Sequence, residues 1–271
     1  MRQFNLGCSI VKDGSNGNYS LEDRLSILRQ YHALGVRHIE YSHPQTTTEE
    51  EAQILRRYAK QLGLILWSAH AICYRESTRE DSMAQLRHDA KIAALLDARV
   101  LVFHPTELLP DGSHHMDVYR WMADVAEENG LQLALETGIP TDNSMLGYLE
   151  LIDLVDAIDR PHVGICIDTG HSYMRDRPDV ETVVYAVGNR LKTLHLHDNY
   201  GQHDDHQMPG LGLINWPEVI RALKESEYDG PLMLEMSDIK EGRTVPQLSL
   251  LTIEKEILFS NAYLRYLWDL V

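Results

Sequence analysis

Cysteine is scarce in this chain, which has three cysteines (Cys8, Cys73 and Cys166) among 271 residues. They are too few and too widely separated for a disulfide framework or for a zinc site built from thiolates. The sequence also lacks an uninterrupted apolar run of about 20 residues, the length that a membrane-spanning helix needs. No apolar stretch typical of a signal peptide follows Arg2. We therefore expect a soluble protein of the reducing cytoplasm, with no membrane partner.

Basic residues are also few. The chain has 25 Lys and Arg against 41 Asp and Glu, so its formal net charge is -16. An anionic surface repels DNA, RNA and acidic membranes, so nucleic acid is not the expected partner. A local basic groove or a bound metal would reverse the field where it acts. Hydrophobic residues make up 44% and charged residues 24%, which is typical of a globular chain and excludes a disordered or collagen-like one.

No linker rich in Pro, Gly or Ser divides the sequence, so we interpret residues 1–271 as one domain. A short apolar run followed by a longer helical pattern recurs eight times, which is typical of βα units around a parallel sheet. The runs are FNLGCSIV, VRHIEYS, LILWSAHA, RVLVFHP, LQLALETG, HVGICIDTG, LKTLHLHD and PLMLEMS. Eight units in this length predict a single (β/α)8 TIM barrel, for which about 250 residues are typical. A doubly wound open sheet is less favoured, because no Gly-rich phosphate-binding motif follows the first strand.

Capping signals place several helix ends. Ser20 is the expected N-cap of the first helix, and Gly35 and Gly63 are expected to end the first and second helices. The third helix is expected from about Ser77 to Asp97. A long C-terminal helix, ILFSNAYLRYLWDLV, has an apolar face that could pack on the barrel or on a second subunit, so a homo-oligomer stays open.

Residues able to bind a metal lie at or near the ends of six consecutive apolar runs: His70, His104, Glu136, Asp168, His195 and Glu235. In a barrel these positions converge at the mouth formed by the carboxyl ends of the strands, where active sites lie. A buried carboxylate is costly unless it is paired or holds a cation. Ordinary core packing explains one such histidine, whereas six residues in consecutive units predict a divalent-metal site.

Loop residues add further candidate ligands. His171 follows Asp168 by three residues in DTGH, close enough for the two side chains to face a common centre. Asp204 and His206 form a D-x-H pair that could supply two ligands to one ion, whereas a solvated acidic loop explains any single one of His203, Asp204 and Asp205 about as well.

Other residues are expected around the site rather than on the ion. His197 and Asp198 could orient ligands, because a metal-bound imidazole usually needs a partner for its other N–H group. Trp67, Tyr74 and Trp216, together with His197, are candidates for the wall of the substrate pocket, although aromatic residues near strand ends are as often simple packing.

The donor set narrows the metal and its number. Imidazoles and carboxylates without thiolate suit zinc, manganese, cobalt or iron, and magnesium where histidines are fewer. One dication with Glu136, Asp168, His195 and Glu235 leaves a net charge of about −1, which suits a neutral polyol or hydroxy-ketone. Three dications with Asp204 added give about +2, which suits a phosphate. One ion is expected, and the ligand set allows up to three.

Nearly the whole chain resembles the xylose isomerase-like TIM-barrel superfamily, which includes sugar isomerases and epimerases and also endonuclease IV. Four residues match the metal ligands of the isomerase and epimerase branch: Glu136 in LALETG, Asp168 in GICIDTGH, His195 in LHLHD and Glu235 in LMLE. The PGLG loop, the Trp-Pro helix start and the YDGP turn are similar to that branch in particular.

The endonuclease IV branch uses nine ligands for three zinc ions, and every ligand type has a match here: His70, His104, Glu136, Asp168, His171, His195, Asp204, His206 and Glu235. Two features differ from a DNA repair enzyme. The loop SHPQTTT has no Arg or bulky wedge to enter a duplex, and QMPGLG departs from the repair enzyme's pattern. Lys240 and Arg243 are too few to make a DNA track.

The resemblance implies a divalent-metal-dependent isomerase or epimerase that acts on a sugar, sugar acid or related polyol through an enediolate. Glu136 and Glu235 would move the proton, and His171 would bind a substrate oxygen. The alternative is a zinc-dependent phosphoester hydrolase of the endonuclease IV type, with a di- or trinuclear site. A barrel that only binds a sugar is less favoured, because binding alone needs no pair of proton carriers.

Overall fold

The computed structural model describes residues 3–11, 19–71, 79–105, 115–139, 146–176, 179–226, 228–236 and 252–271. Within these ranges eight parallel strands alternate with helices, which confirms the predicted TIM barrel. The strands are β1 (Leu6–Ser9), β2 (His38–Ser42), β3 (Ile65–His70), β4 (Val100–Phe103), β5 (Gln132–Glu136), β6 (Val163–Asp168), β7 (Leu191–His195) and β8 (Leu232–Leu234).

Each strand pairs with its neighbours in chain order, and β8 returns to pair with β1. The gap between β7 and β8 is closed just beyond β7, where Leu196 forms a parallel bridge with Leu234. There the Leu196 amide donates to the Met233 carbonyl at 2.8 Å, and the Glu235 amide donates to the Leu196 carbonyl at 3.2 Å. The carboxyl ends of all eight strands therefore surround one mouth.

The helices begin and end where local chemistry dictates. They are α1 (Leu21–Ala33), α2 (Glu49–Gln61), α3 (Arg79–Leu95), α4 (Met116–Glu128), α5 (Tyr148–Ile158), α6 (Thr169–Asp176), α7 (Val180–Val187), α8 (Trp216–Glu225) and α9 (Ile253–Leu270). The N-cap at Ser20 is confirmed, because its hydroxyl accepts from the Asp23 amide and the Asp23 carboxylate accepts from the Ser20 amide. Gly35 and Gly63 have φ angles of 84° and 69° just past α1 and α2, as expected for residues that end a helix.

The sequence analysis places DTGH in a loop, whereas residues Thr169–Asp176 form helix α6. It begins directly after β6, and the Asp168 carboxylate caps it by accepting from the His171 amide at 2.7 Å. A Cβ on Gly170 would lie 2.0 Å from the His197 ring, so only glycine fits beside that imidazole. A helix of 8 residues is too short to show a clear 3.6-residue periodicity, which is why the pattern missed it.

The long C-terminal helix is confirmed as α9, which packs one face against α8. Ile257 and Leu264 are buried on that face, whereas Phe259 and Tyr266 are exposed on the other. Among the described residues, no helix combines the length and the apolar character needed to cross a bilayer.

The interior of the barrel is less apolar than is usual for this fold, in which bulky branched residues dominate. An apolar group of Val100, Val102, Ala134 and Cys166 packs with Trp67. Glu40 is fully buried as well, and the Ser68 hydroxyl donates to its carboxylate at 2.7 Å. A charged residue at this depth needs a specific reason.

Asp89 on α3 generates a prediction about stability. It is fully buried, its Oδ1 accepts from Gln85 Nε2 at 3.0 Å, and its Oδ2 has no hydrogen-bond partner within the part of the chain that the structure describes. Burial raises the pKa of Asp89 from 3.8 to about 7, so the folded state holds the proton over a range in which the unfolded chain has lost it. The contribution of Asp89 to the free energy of unfolding therefore falls as pH rises from about 4 to about 7 and stays low above that range.

We expect Asp89→Asn to raise the free energy of unfolding by roughly 2–4 kcal/mol at pH 8 and to change it little near pH 4. The amide oxygen can still accept from Gln85, while the buried charge is removed. Urea unfolding of both proteins at the two pH values measures the effect. An equal change at both values would contradict a role for ionisation.

Candidate metal centre

The six strand-end residues of the sequence analysis meet at the mouth of the barrel. Four of them are the last residues of their strands, and two directly follow a strand. They are His70 (β3), Glu136 (β5), Asp168 (β6) and His195 (β7), with His104 after β4 and Glu235 after β8. Because a parallel barrel points all strand ends the same way, residues far apart in sequence are brought together here.

Glu136 lies at the centre of a first group of ligands. It is fully buried, and three imidazole nitrogens approach its carboxylate: Nδ1 of His195 at 3.1 Å, Nε2 of His104 at 3.2 Å and Nε2 of His70 at 3.3 Å. Despite these short distances, neither oxygen of Glu136 has a hydrogen-bond partner among the described residues. A desolvated carboxylate surrounded in this way is costly, and a cation among the four groups would satisfy it.

A second group of ligands forms around Asp168 and Asp204. His197 Nε2 contacts the Asp168 carboxylate at 3.0 Å. The Asp204 carboxylate lies 3.0 Å from His206 Nε2 and 3.3 Å from His171 Nε2. The loop pair Asp204 and His206 therefore turns into the site, and the solvated-loop alternative does not describe it.

Glu235 lies between the two groups. Its carboxylate is 3.6 Å from His195 Nδ1 in the first group, and 3.8 Å from both His197 Nε2 and His206 Nδ1 in the second. One carboxylate can therefore serve ligand sets on both sides.

The charged neighbours and the burial shift several pKa values. Burial alone would raise the pKa of Glu136, but His104 and His195 lower it well below its usual range. Burial raises the pKa of Glu235 to about 8, and the nearby histidines only partly offset this. Burial lowers the pKa of His104 to about 4, whereas Asp204 overcomes burial and raises the pKa of His206 to about 9.

The donor set fits a divalent transition metal. Ligand atoms lie within 4.8 Å of one another in several overlapping sets, among them His70, His104 and Glu136; Asp168, His171 and His197; and His197, His206 and Glu235. Imidazole nitrogen and carboxylate oxygen suit zinc, manganese or cobalt. The thiol of Cys166 also faces Glu136 and His195, and burial raises its pKa.

Asp198 organises the loop that carries Asp204 and His206. Its carboxylate accepts from the amides of Gly210 at 2.9 Å and Ile214 at 3.2 Å, and from the indole of Trp216 at 2.7 Å. These bonds tie the PGLG turn (209–212) and the residues that follow it to one residue next to His197. Asp198 therefore orients the loop rather than a metal-bound imidazole.

The pocket-wall assignments need correction. Trp216 is fully buried at the start of α8 and bonds to Asp198, so it supports the loop and does not face the mouth. Trp67 lies toward the opposite end of the barrel, beside His38 and under the Arg99 guanidinium, because it precedes the last residue of β3 by three positions. His197 is fully buried against Asp168 rather than lining a pocket, and Tyr74 lies outside the described residues.

Glu40 is the residue that sequence reasoning missed. Its Oε1 lies 2.8 Å from His195 Nε2, and both side chains are fully buried. The signal was present in VRHIEYS, where a single carboxylate interrupts an apolar strand. The candidate ligands predicted from the sequence lie at strand ends from the third unit onward, whereas Glu40 lies in the second unit, two residues before the end of its strand.

Curated relatives include both sugar-active proteins and a nuclease. An uncharacterised protein of Methanocaldococcus jannaschii is 29% identical over 180 residues, which cover 61% of this chain and 60% of that protein. The D-psicose 3-epimerase of Enterocloster bolteae is 24% identical over 253 residues, covering 83% and 82%. A probable endonuclease 4 of Phocaeicola vulgatus is 27% identical over 188 residues, covering 60% and 66%.

Solved structures share the fold over almost the full chain. D-psicose 3-epimerase with D-tagatose from Clostridium cellulolyticum H10 superposes with a TM-score of 0.78 at 18% identity, covering 98% of this chain and 99% of that one. The IolI protein with a bound zinc atom gives a TM-score of 0.76 at 17% identity, covering 98% of both chains. At this identity the likeness shows the fold alone.

A family model decides the classification. The model for the xylose isomerase-like TIM barrel matches residues 28–255, a range that runs from α1 to the start of α9 and includes every candidate ligand. The chain therefore belongs to the xylose isomerase-like TIM barrel family.

Proposed function

We propose that this protein is a divalent-metal-dependent isomerase or epimerase that acts on a sugar, a sugar acid or a related polyol. The supporting observation is that Glu136 from β5 and Glu235 beyond β8 approach the same nitrogen, Nδ1 of His195, at 3.1 and 3.6 Å. Two carboxylates of different strands thus face one centre, as a two-base proton transfer requires. The epimerase among the curated relatives is consistent with this chemistry.

The ligands for the ion would be Glu136, Asp168, His195 and Glu235. When bound, zinc, manganese, cobalt or magnesium would supply the positive charge that favours loss of a proton next to a carbonyl group. Glu136 and Glu235 would hold and move the proton, one removing it and the other returning it. His171 would bind a substrate oxygen through Nε2, since its Nδ1 donates to the Thr137 carbonyl at 2.9 Å and the ring is thereby fixed.

A second candidate function is phosphoester hydrolysis. The observation that favours it is the second ligand group, because Asp204, His206 and His171 are superfluous for a single ion bound by the other four residues. Several dications in these groups would give the mouth a net positive charge, which suits a phosphate. The probable endonuclease 4 among the relatives is consistent with this alternative.

Metal content separates the two candidates. We expect protein purified without chelator to hold about one divalent ion per chain if it is an isomerase and close to three if it is a phosphoesterase. Elemental analysis by mass spectrometry gives the number. In either case chelation should lower the melting temperature and re-addition of the metal should restore it, because the ion binds only the folded chain. Protein without metal and with an unchanged melting temperature in chelator would contradict both functions.

Glu136→Gln should abolish the exchange of the substrate α-proton with solvent deuterium, with a loss of about 100-fold or more. The change keeps the shape of the side chain and removes the base. Exchange is followed by proton NMR in deuterium oxide with a panel of ketoses. Glu127→Gln is the matched control, because Glu127 is exposed on α4. This variant should catalyse exchange of the substrate α-proton at the wild-type rate. An active Glu136→Gln protein would refute the role of Glu136.

Asp204→Asn distinguishes the two candidates in another way. If the protein is an isomerase with one ion, α-proton exchange should stay within about 10-fold of the wild type, because Asp204 is not among the four ligands. If it is a phosphoesterase, the wild type should hydrolyse bis(p-nitrophenyl) phosphate with added zinc, and Asp204→Asn should lose about 100-fold or more of that activity. Both activities are measured on the same preparations.

A further inference from the structure

Glu40 is a carboxylate inside the barrel at a level where this fold normally places apolar side chains. It is fully buried in the middle of β2. The Ser68 hydroxyl donates to Oε2 at 2.7 Å, which fixes the carboxylate, and Oε1 lies 2.8 Å from Nε2 of His195. Burying a charge is costly, so its position beside a candidate metal ligand calls for a functional account.

The two nitrogens of His195 face different groups. Nδ1 faces Glu136 at 3.1 Å and Glu235 at 3.6 Å, on the side where the ion is proposed. Nε2 faces Glu40. A neutral imidazole can bind a cation only through the nitrogen that carries no proton, and the partner of the other nitrogen decides which one that is.

We propose that Glu40 is a positioning residue of the metal centre, one that keeps the proton of His195 on Nε2 and leaves Nδ1 free for the ion. The inference rests on the metal centre of the proposed function, but on neither of the two candidate reactions. Ser68 has a supporting role, because its hydroxyl holds Glu40 at the height of the His195 ring.

The alternative is that Glu40 serves the core alone. In that case its removal would change the stability of the metal-free protein and leave metal affinity unchanged. If Glu40 positions His195, metal affinity falls, and the metal-free protein also loses some stability, because the Ser68 hydroxyl and the His195 imidazole lose the group they face. Metal affinity is therefore the quantity that separates the two roles.

The test is the affinity of metal-free protein for cobalt, measured by competition with a coloured chelator. Glu40→Gln keeps the size of the side chain but removes the charge, and we expect cobalt to bind about 10- to 100-fold more weakly. Glu40→Met removes both acceptors and should weaken binding at least as much. The increase in melting temperature on adding cobalt should be smaller for Glu40→Gln than for the wild type.

Two further variants keep the result interpretable. Asp89→Asn is the matched control, since it also removes a fully buried carboxylate but lies on α3, and its cobalt affinity should equal that of the wild type. Ser68→Ala removes only the hydroxyl that holds Glu40 and should weaken cobalt binding a few-fold. Its cobalt affinity therefore tests the proposal even if the Glu40 variants do not fold. Wild-type affinity in Glu40→Gln, or in Ser68→Ala if the Glu40 variants do not fold, would overturn the inference and leave the proposed function standing. A wild-type chain that binds no cobalt, zinc or manganese would overturn both.

Discussion

The burial of the Glu136 carboxylate constrains the whole mouth of this barrel. Neither of its oxygens has a hydrogen-bond partner among the described residues, and three imidazoles lie within 3.3 Å. Most of the free-energy cost of such a group cannot be offset by neutral neighbours, because the interior screens charge poorly. The arrangement is favourable when a cation lies among the donors. The positions of the other ligands, and of Glu40 and Ser68 below them, are consistent with the need to hold a cation beside Glu136.

Much of this could be predicted from the sequence. Eight alternating units indicated the barrel, and a barrel fixes the direction of every strand, so His70, Asp168 and Glu235 could be assigned to one mouth before any coordinates were known. What strand direction does not fix is depth. Trp67, which the sequence analysis expects near the mouth, lies toward the other end of the barrel, because it precedes the last residue of β3 by three positions.

Glu40 and α6 escaped prediction for a related reason. A residue in the middle of a strand can face the interior or the helices, and only the register between β2 and β3 directs Glu40 toward His195. Helix α6 depends on a tertiary contact, since its cap is the carboxylate of a candidate ligand, Asp168. The sequence shows which residue types are present, but it does not show the tertiary contacts that determine their roles.

The two candidate functions use the same barrel and differ in the number of ions bound at its mouth, and therefore in the net charge there. A first ligand group around Glu136 and a second around Asp204 are joined by Glu235, which contacts both. With one ion the mouth keeps a negative balance and suits neutral oxygen-rich molecules, whereas several ions make it positive. Ion number can therefore set substrate class without any change of fold.

Glu235 contacts the neighbouring segment through both its backbone and its side chain, because the barrel closes at this residue. Its backbone amide bonds to the Leu196 carbonyl at the junction of β7 and β8, while its side chain contacts His195, the residue before Leu196. A substitution of the side chain leaves the junction intact, but an insertion or deletion at either position would shift ring closure and cation geometry together. Length variation among relatives should therefore spare these two short segments and accumulate in the longer connections elsewhere around the rim.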